Sequence, residues 1–176
     1  MRRIITVMVV LSGILAAGAA CASSDELTGS ERVIEDYGQI LVLDDFTALG
    51  LKLNKTYDVS ELSPAVTAYM GFYTPSGDKP IQVELRFFHS HDEAKSDGVP
   101  LAEEVTGPDA ITLRDEVTVL EGYKDRVTGQ TDVVGPRPRY MAYVIFNNVI
   151  VLCEGLEPAQ SVKRCAALTS QLIPPG

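Results

Sequence analysis

The chain has no tryptophan, two histidines and three cysteines among its 176 residues. Each scarcity removes a class of function. Without tryptophan, a carbohydrate-binding module built on stacked indoles is disfavoured, and seven tyrosines and five phenylalanines supply the aromatic content. With only His89 and His91 available, Ser-His-Asp catalysis would have to use one of these two. Gly-x-Ser-x-Gly, a phosphate-cradling glycine-rich loop and His-Glu-x-x-His are all missing. Cys-x-x-Cys is missing too, which argues against thiol redox chemistry. Basic residues are outnumbered 15 to 24, for a net charge of −9. Such a surface repels a phosphate backbone, so nucleic acid is not expected as a partner. No pair of acids stands out as a catalytic couple. The reading is of a protein that is not an enzyme and needs no cofactor.

What is present begins at the N-terminus. Met1-Arg2-Arg3 is followed by an apolar and small stretch from Ile4 to Ala20, then Cys21. Residues 1–20 have the charged start, apolar middle and small-residue end of an export signal. Gly18-Ala19-Ala20-Cys21 resembles the lipobox of bacterial lipoproteins. That resemblance covers the signal alone. It implies that the Cys21 thiol is acylated and becomes the new N-terminus, holding the protein to the outer face of a membrane in the cell envelope. Ala22-Ser23-Ser24, with no aspartate after the cysteine, resembles an outer-membrane sorting signal. Two other fates fit the same residues. Ala20-Cys21-Ala22 and Ala17-Gly18-Ala19 satisfy the Ala-x-Ala rule for a freely secreted protein. The apolar run of about 17 residues is at the short end of a membrane span.

Cleavage after Ala20 would leave 13 basic against 24 acidic residues, a net charge of −11. Residues 21–30 read as a lipidated N-terminus and short polar tether, and residues 31–176 as a single α+β domain. No second apolar run of comparable length follows the signal. With Cys21 lipidated, Cys153 and Cys165 form an even pair, which an oxidising compartment favours as a disulfide.

Periodicity sets the expected elements. Ile40 to Leu43 is an apolar run of strand length, and Asp44-Asp45 could open a short helix that ends near Gly50. Asn54-Lys55-Thr56 reads as a polar turn. Ala65 to Tyr73 and Ile81 to Phe88, separated by Thr74-Pro75-Ser76-Gly77-Asp78, read as a hairpin. Ile81, Val83, Leu85 and Phe87 should form its inner face, with Gln82, Glu84 and Arg86 towards solvent. Ser90-His91-Asp92-Glu93 fits a capping box for a helix towards Glu104, interrupted at Gly98-Val99-Pro100. Ala110, Leu113, Val117 and Leu120 suggest a further helix over 108–120, where the β-branched content also allows a strand. Gly122 to Arg139 is a long connection rich in turn residues. Tyr140 to Phe146 and Val149 to Cys153 are apolar strands joined at Asn147-Asn148, a pair suited to positive φ. Pro158 starts a last helix on the apolar positions Val162, Cys165, Ala166, Leu168 and Leu172. The fold class is α+β: an antiparallel sheet of about four to six strands with helices mainly on one face.

Two clusters could carry chemistry. His89, His91, Asp92 and Glu93 combine imidazole and carboxylate, as zinc, copper or nickel sites do, although the same residues make an ordinary acidic helix start. Lys124, Arg126, Arg137 and Arg139 could bind an anion or an acidic partner, or could balance nearby carboxylates. The leading expectation is a non-enzymatic, membrane-tethered domain that binds an envelope protein or a small ligand. A metal-binding envelope protein using His89 and His91 stands second, and a hydrolase third.

Overall fold

The computed structural model describes residues 33–129 and 135–175. The export signal, Cys21 and the tether lie outside these residues. The described residues form a six-stranded mixed sheet, a two-stranded ribbon and short helices. The strands of the sheet are β1 (Val33–Glu35), β2 (Lys52–Tyr57), β3 (Thr67–Tyr73), β4 (Ile81–Phe87), β7 (Tyr140–Phe146) and β8 (Val149–Glu154). Their spatial order is β1-β7-β8-β4-β3-β2. Every pairing is antiparallel except β1 with β7, which is parallel. The ribbon pairs β5 (Val127–Thr128) with β6 (Arg137–Pro138).

The alternation along β4 explains the layers. Ile81, Val83, Leu85 and Phe87 enter one apolar cluster with Val149, Val151 and Cys153 of β8. Helix α1 (Leu43–Ala48) adds Phe46, and α5 (Pro158–Thr169) adds Cys165 and Leu168. The opposite face carries a second cluster, with Ala68, Phe88, Tyr143, Ile150 and Leu152 under Ala94, Ala102, Val105 and Val119. Both faces are therefore covered, and the expectation of helices mainly on one face is corrected. A one-sided cover would have left Tyr143, Ile145, Ile150 and Leu152 in water, and all four are at most 1 % exposed.

Several local expectations change for identifiable reasons. Residues 40–42 form an extended strap with only Leu41 buried, and Leu43 already belongs to α1. The Asp45 carboxylate accepts from the Val42 N–H at 2.8 Å and so opens the helix. At its end Gly50 has φ 92°, its N–H bonds Thr47 O, and Leu51 N–H bonds Phe46 O. That pattern is a Schellman motif, closed by the two core residues Phe46 and Leu51. Asn54-Lys55-Thr56 lies in edge strand β2, beside a bulge between Leu53 and Lys55, and not in a turn. An exposed, bulged, lysine-bearing strand is how a sheet edge avoids further pairing.

The helix capped by Ser90 is not interrupted at Gly98. α2 (His91–Glu93) runs through a π turn (Ala94–Gly98) into α3 (Val99–Glu103). Pro100 lacks an N–H, and the wider turn before it absorbs that loss. Residues 108–120 form no helix. Their backbone is held from a distance instead: Thr118 N–H by the Glu104 carboxylate at 2.6 Å, and Leu120 N–H by Glu61 at 2.9 Å. The connection after Gly122 contains the single turn α4 (Tyr123–Arg126) and the β5–β6 ribbon.

Candidate functional site

The expectation that Gln82, Glu84 and Arg86 face solvent is overturned. All seven residues of β4 are buried, and Glu84 and Arg86 are 0 % and 1 % exposed. The reason lies in what crosses above them. The Gly122 turn and α4 bring Arg126 onto the second face, where it is 3 % exposed. Gly122 has φ 73°, and a β-carbon there would stand 2.9 Å from the Tyr57 ring, so glycine serves both the turn and the approach.

Glu84 is the hub. Its Oε1 accepts from Arg86 Nε at 2.8 Å. Arg126 Nε reaches Oε2 at 3.1 Å and Oε1 at 3.3 Å. The remaining Arg126 nitrogens donate to Val119 O at 3.0 Å and Glu121 O at 2.6 Å. Its guanidinium also lies 5.9 Å from the centroid of Tyr57. Around this core, Gln82 Nε2 donates to Tyr140 Oη at 2.7 Å and to Asp125 O at 2.8 Å. Tyr57 Oη donates to Asp125 at 3.0 Å, and Lys55 pairs with the same carboxylate at 2.8 Å.

Burial pushes the Glu84 carboxyl up, but the guanidiniums of Arg126 and Arg86 outweigh it and hold the value below the ordinary one. Burial, followed by the nearby Glu84 charge, pushes the phenols of Tyr57 and Tyr140 well up, so both stay protonated. The two arginines differ. Burial opposes the charge on each, yet Glu84 raises Arg126 overall, whereas Arg86 is left lowered. An enclosed, ionised, fully engaged carboxylate is poorly placed to trade protons with a substrate.

The other candidate residues fall elsewhere. Ser90 Oγ accepts from Glu93 N–H at 3.1 Å, and the Glu93 carboxylate accepts from His89 N–H at 2.7 Å. His91 Nδ1 lies 2.7 Å from Asn147 O. These contacts tie the helix start to the β7–β8 turn. Among the described residues no group of three or more histidine, cysteine, aspartate or glutamate side chains is gathered as a metal site. The basic quartet is divided. Arg126 belongs to the Glu84 hub, and Lys124 is exposed on α4. Arg137 and Arg139 line a groove of about 540 Å³ with Met141, Glu154, Leu156 and Arg164. Arg139 there already donates to Asp125 O and to Glu154, and Arg164 to Asp78 and to Glu154 O. Cys153 and Cys165 are joined in a disulfide with a Cα–Cα distance of 5.6 Å, and both are wholly buried. A second groove, of about 510 Å³, lies between the strap, the start of β3 and the end of β4, and includes Ile40, Val42, Val66, Tyr69 and His89.

The sequence held one overlooked signal for the buried hub. β7 and β8 are apolar on both faces, so their sheet neighbour β4 must also be covered on both, and its Glu84 and Arg86 then need partners inside. Arg126 was visible as a cation, but nothing local tied it to Glu84 at a separation of 42 residues.

No curated protein and no solved structure matches the chain. The model of the Family of unknown function (DUF6810) matches residues 42–174, from the strap before α1 to the segment after α5. That match takes in the Glu84 hub, the disulfide and both core clusters apart from Leu41, more than half of the chain, and the protein belongs to this family.

Proposed function

We propose that this protein is an exported lipoprotein, anchored through Cys21 and tethered by residues 21–30. Its single folded domain acts by binding a partner at the cell envelope, not by catalysis. The observation that carries the reading is the contrast between the interior and the strap. The hub's charges are turned inwards on one another. The strap and its groove instead offer apolar side chains to the outside: Ile40 is 65 % exposed, Val42 54 % and Val66 43 %. Exposed apolar residues grouped around a groove mark interaction sites more often than scattered ones do. Residues 31–39, which include β1, separate the strap from the tether of residues 21–30. The occupant this surface suits is an apolar segment of another envelope protein. The acidity of the chain adds support, since it disfavours nucleic acid and anionic headgroups as alternatives.

A photo-crosslinking residue at position 40 or 42, in the full chain expressed in a bacterial envelope, tests this. A discrete adduct from both positions, lost on Val66→Asp and missing from a control at Lys95, is the expected result. No adduct from either position, or the same adducts from position 95, would remove the strap as the binding surface.

A further inference from the structure

Arg86 is almost completely enclosed, yet only its Nε has a partner, Glu84. Neither Nη1 nor Nη2 has a hydrogen-bond partner among the described residues. Four N–H donors of a guanidinium thus face the interior without an acceptor. The adjacent strands supply none from their side chains, because the residues opposite Arg86 are Ala68 on β3 and Ile150 on β8. Glu84 is already shared between Arg86 and Arg126. Asp125 is committed to Lys55 and Tyr57.

The charge count agrees with the hydrogen bonds. Among the described residues, two guanidiniums and one carboxylate, each at most 3 % exposed, leave an excess of one positive charge away from water. A buried charge without a counter-charge is strongly unfavourable, and so is a buried donor without an acceptor.

We propose that Arg86 binds a compact monovalent anion inside the domain, either a halide or the carboxylate of a small acid. The planar fork of Nη1 and Nη2 suits either one, with two donors converging on it. The charge count selects a monoanion, because a divalent phosphate would leave the interior one charge negative. The η-nitrogens are sealed even from a water molecule, so the cover over the hub must shift to admit the ion, which excludes nucleotides and peptides. The way in is under residues 104–122, which carry no regular helix or strand and are held over the hub by side-chain bonds from Glu61, Glu104, Tyr123 and Arg126 and by the Gly107 N–H to Tyr140 O. Irregular segments of this length are often the moving covers of sites. This site is independent of the strap, and either can stand without the other.

The test uses the full chain, purified without a tag in detergent and exchanged into sodium gluconate, an anion too large for the site. Chloride or formate then replaces gluconate at constant ionic strength. The wild type should gain roughly 3–5 °C in melting temperature for each tenfold rise in the accepted anion above its dissociation constant. A response to chloride alone identifies a halide site, and a response to formate identifies a carboxylate site. Arg86→Met should abolish the response. Crystals of the wild type grown in bromide or formate should show the anion against the Arg86 η-nitrogens, and these serve if the methionine variant does not fold. Equal melting temperatures in all three anions would overturn the proposal. So would a folded Arg86→Met that keeps the full response, or electron density showing only water at the η-nitrogens.

Discussion

Glu84 is a residue whose value depends entirely on its surroundings. In water it would be one of 24 acids; in place it neutralises one of two buried guanidiniums. Glu84→Gln keeps the shape but removes the charge, and should destabilise the protein by about 3–5 kcal/mol, as breaking buried ion pairs does. Chemical denaturation at neutral pH measures this. The pH dependence follows from the direction of the shift. Because the folded state holds the Glu84 carboxyl below its ordinary 4.5, its stabilisation is complete above that value and is lost as pH falls through the lower folded value. The wild type should therefore weaken progressively below about pH 4.5, with a steeper slope than Glu84→Gln, which has no carboxyl to protonate there. Equal acid slopes in the two proteins would contradict the assignment. Ser90 is a smaller case of the same kind. Ser90→Ala removes the acceptor for Glu93 N–H and should destabilise by about 1 kcal/mol, with added zinc leaving the wild-type melting temperature unchanged. A zinc-dependent rise that disappears with His89→Ala or His91→Ala would restore the metal reading.

At the scale of elements, the readable parts of the fold are those whose bonds are local. The β3–β4 hairpin follows from alternation around a dense turn, and α5 follows from Pro158 and a regular apolar stripe. The β7–β8 hairpin follows from Asn147-Asn148, with φ 51° at Asn147. What that dipeptide does beyond turning was not readable. Asn148 Oδ1 accepts from Leu41 N–H at 2.7 Å and its Nδ2 donates to Phe88 O at 2.9 Å, while Asn147 Oδ1 accepts from Tyr37 N–H at 2.6 Å. Two side chains thus hold Tyr37 and Leu41, in the segment between β1 and α1, more than a hundred residues away in sequence, and no periodicity in residues 36–42 announces it. Residues 104–122 are opaque for the same reason: their partners are Glu61 and Arg126. Gly98 shows how closely the helical segment sits on the sheet. A β-carbon there would come within 2.5 Å of the Phe88 ring and 2.6 Å of Ile150 Cδ1. Gly98→Ala, favourable in an isolated helix, should instead destabilise by about 1–3 kcal/mol through overpacking, as a lowered denaturation midpoint will show. The disulfide joins β8 to α5 across a loop of 12 residues. Replacing both cysteines by serine should lower stability by about 2–4 kcal/mol, with the wild type showing no free thiol after denaturation without reductant.

At the scale of the whole molecule, charge and lipid make opposite predictions about the membrane. A chain cut after Ala20 would carry −11 and be repelled by anionic headgroups, so electrostatics alone would not hold it to such a membrane. In the anchoring proposed above, attachment comes from acyl chains on Cys21, where each buried methylene contributes about 0.8 kcal/mol and several chains together hold firmly. Two consequences separate this mode from a charge-mediated one. Wild-type protein should stay with the membrane fraction through washes in high salt and should incorporate a labelled fatty acid. Cys21→Ser should lose the label, and, once its signal is cut by the general peptidase, it should move wholly to the soluble exported fraction. The folded domain should be indifferent to the change, with the same melting temperature and the same Cys153–Cys165 bridge, because residues 33–129 and 135–175 hold their own core on both faces of the sheet. Wild-type protein found free and unlabelled in the medium would point to cleavage by the general peptidase and refute the anchor. Retention of Cys21→Ser in the membrane through salt would point instead to an uncleaved apolar segment, and the domain would then be held by residues 4–20 rather than by a lipid.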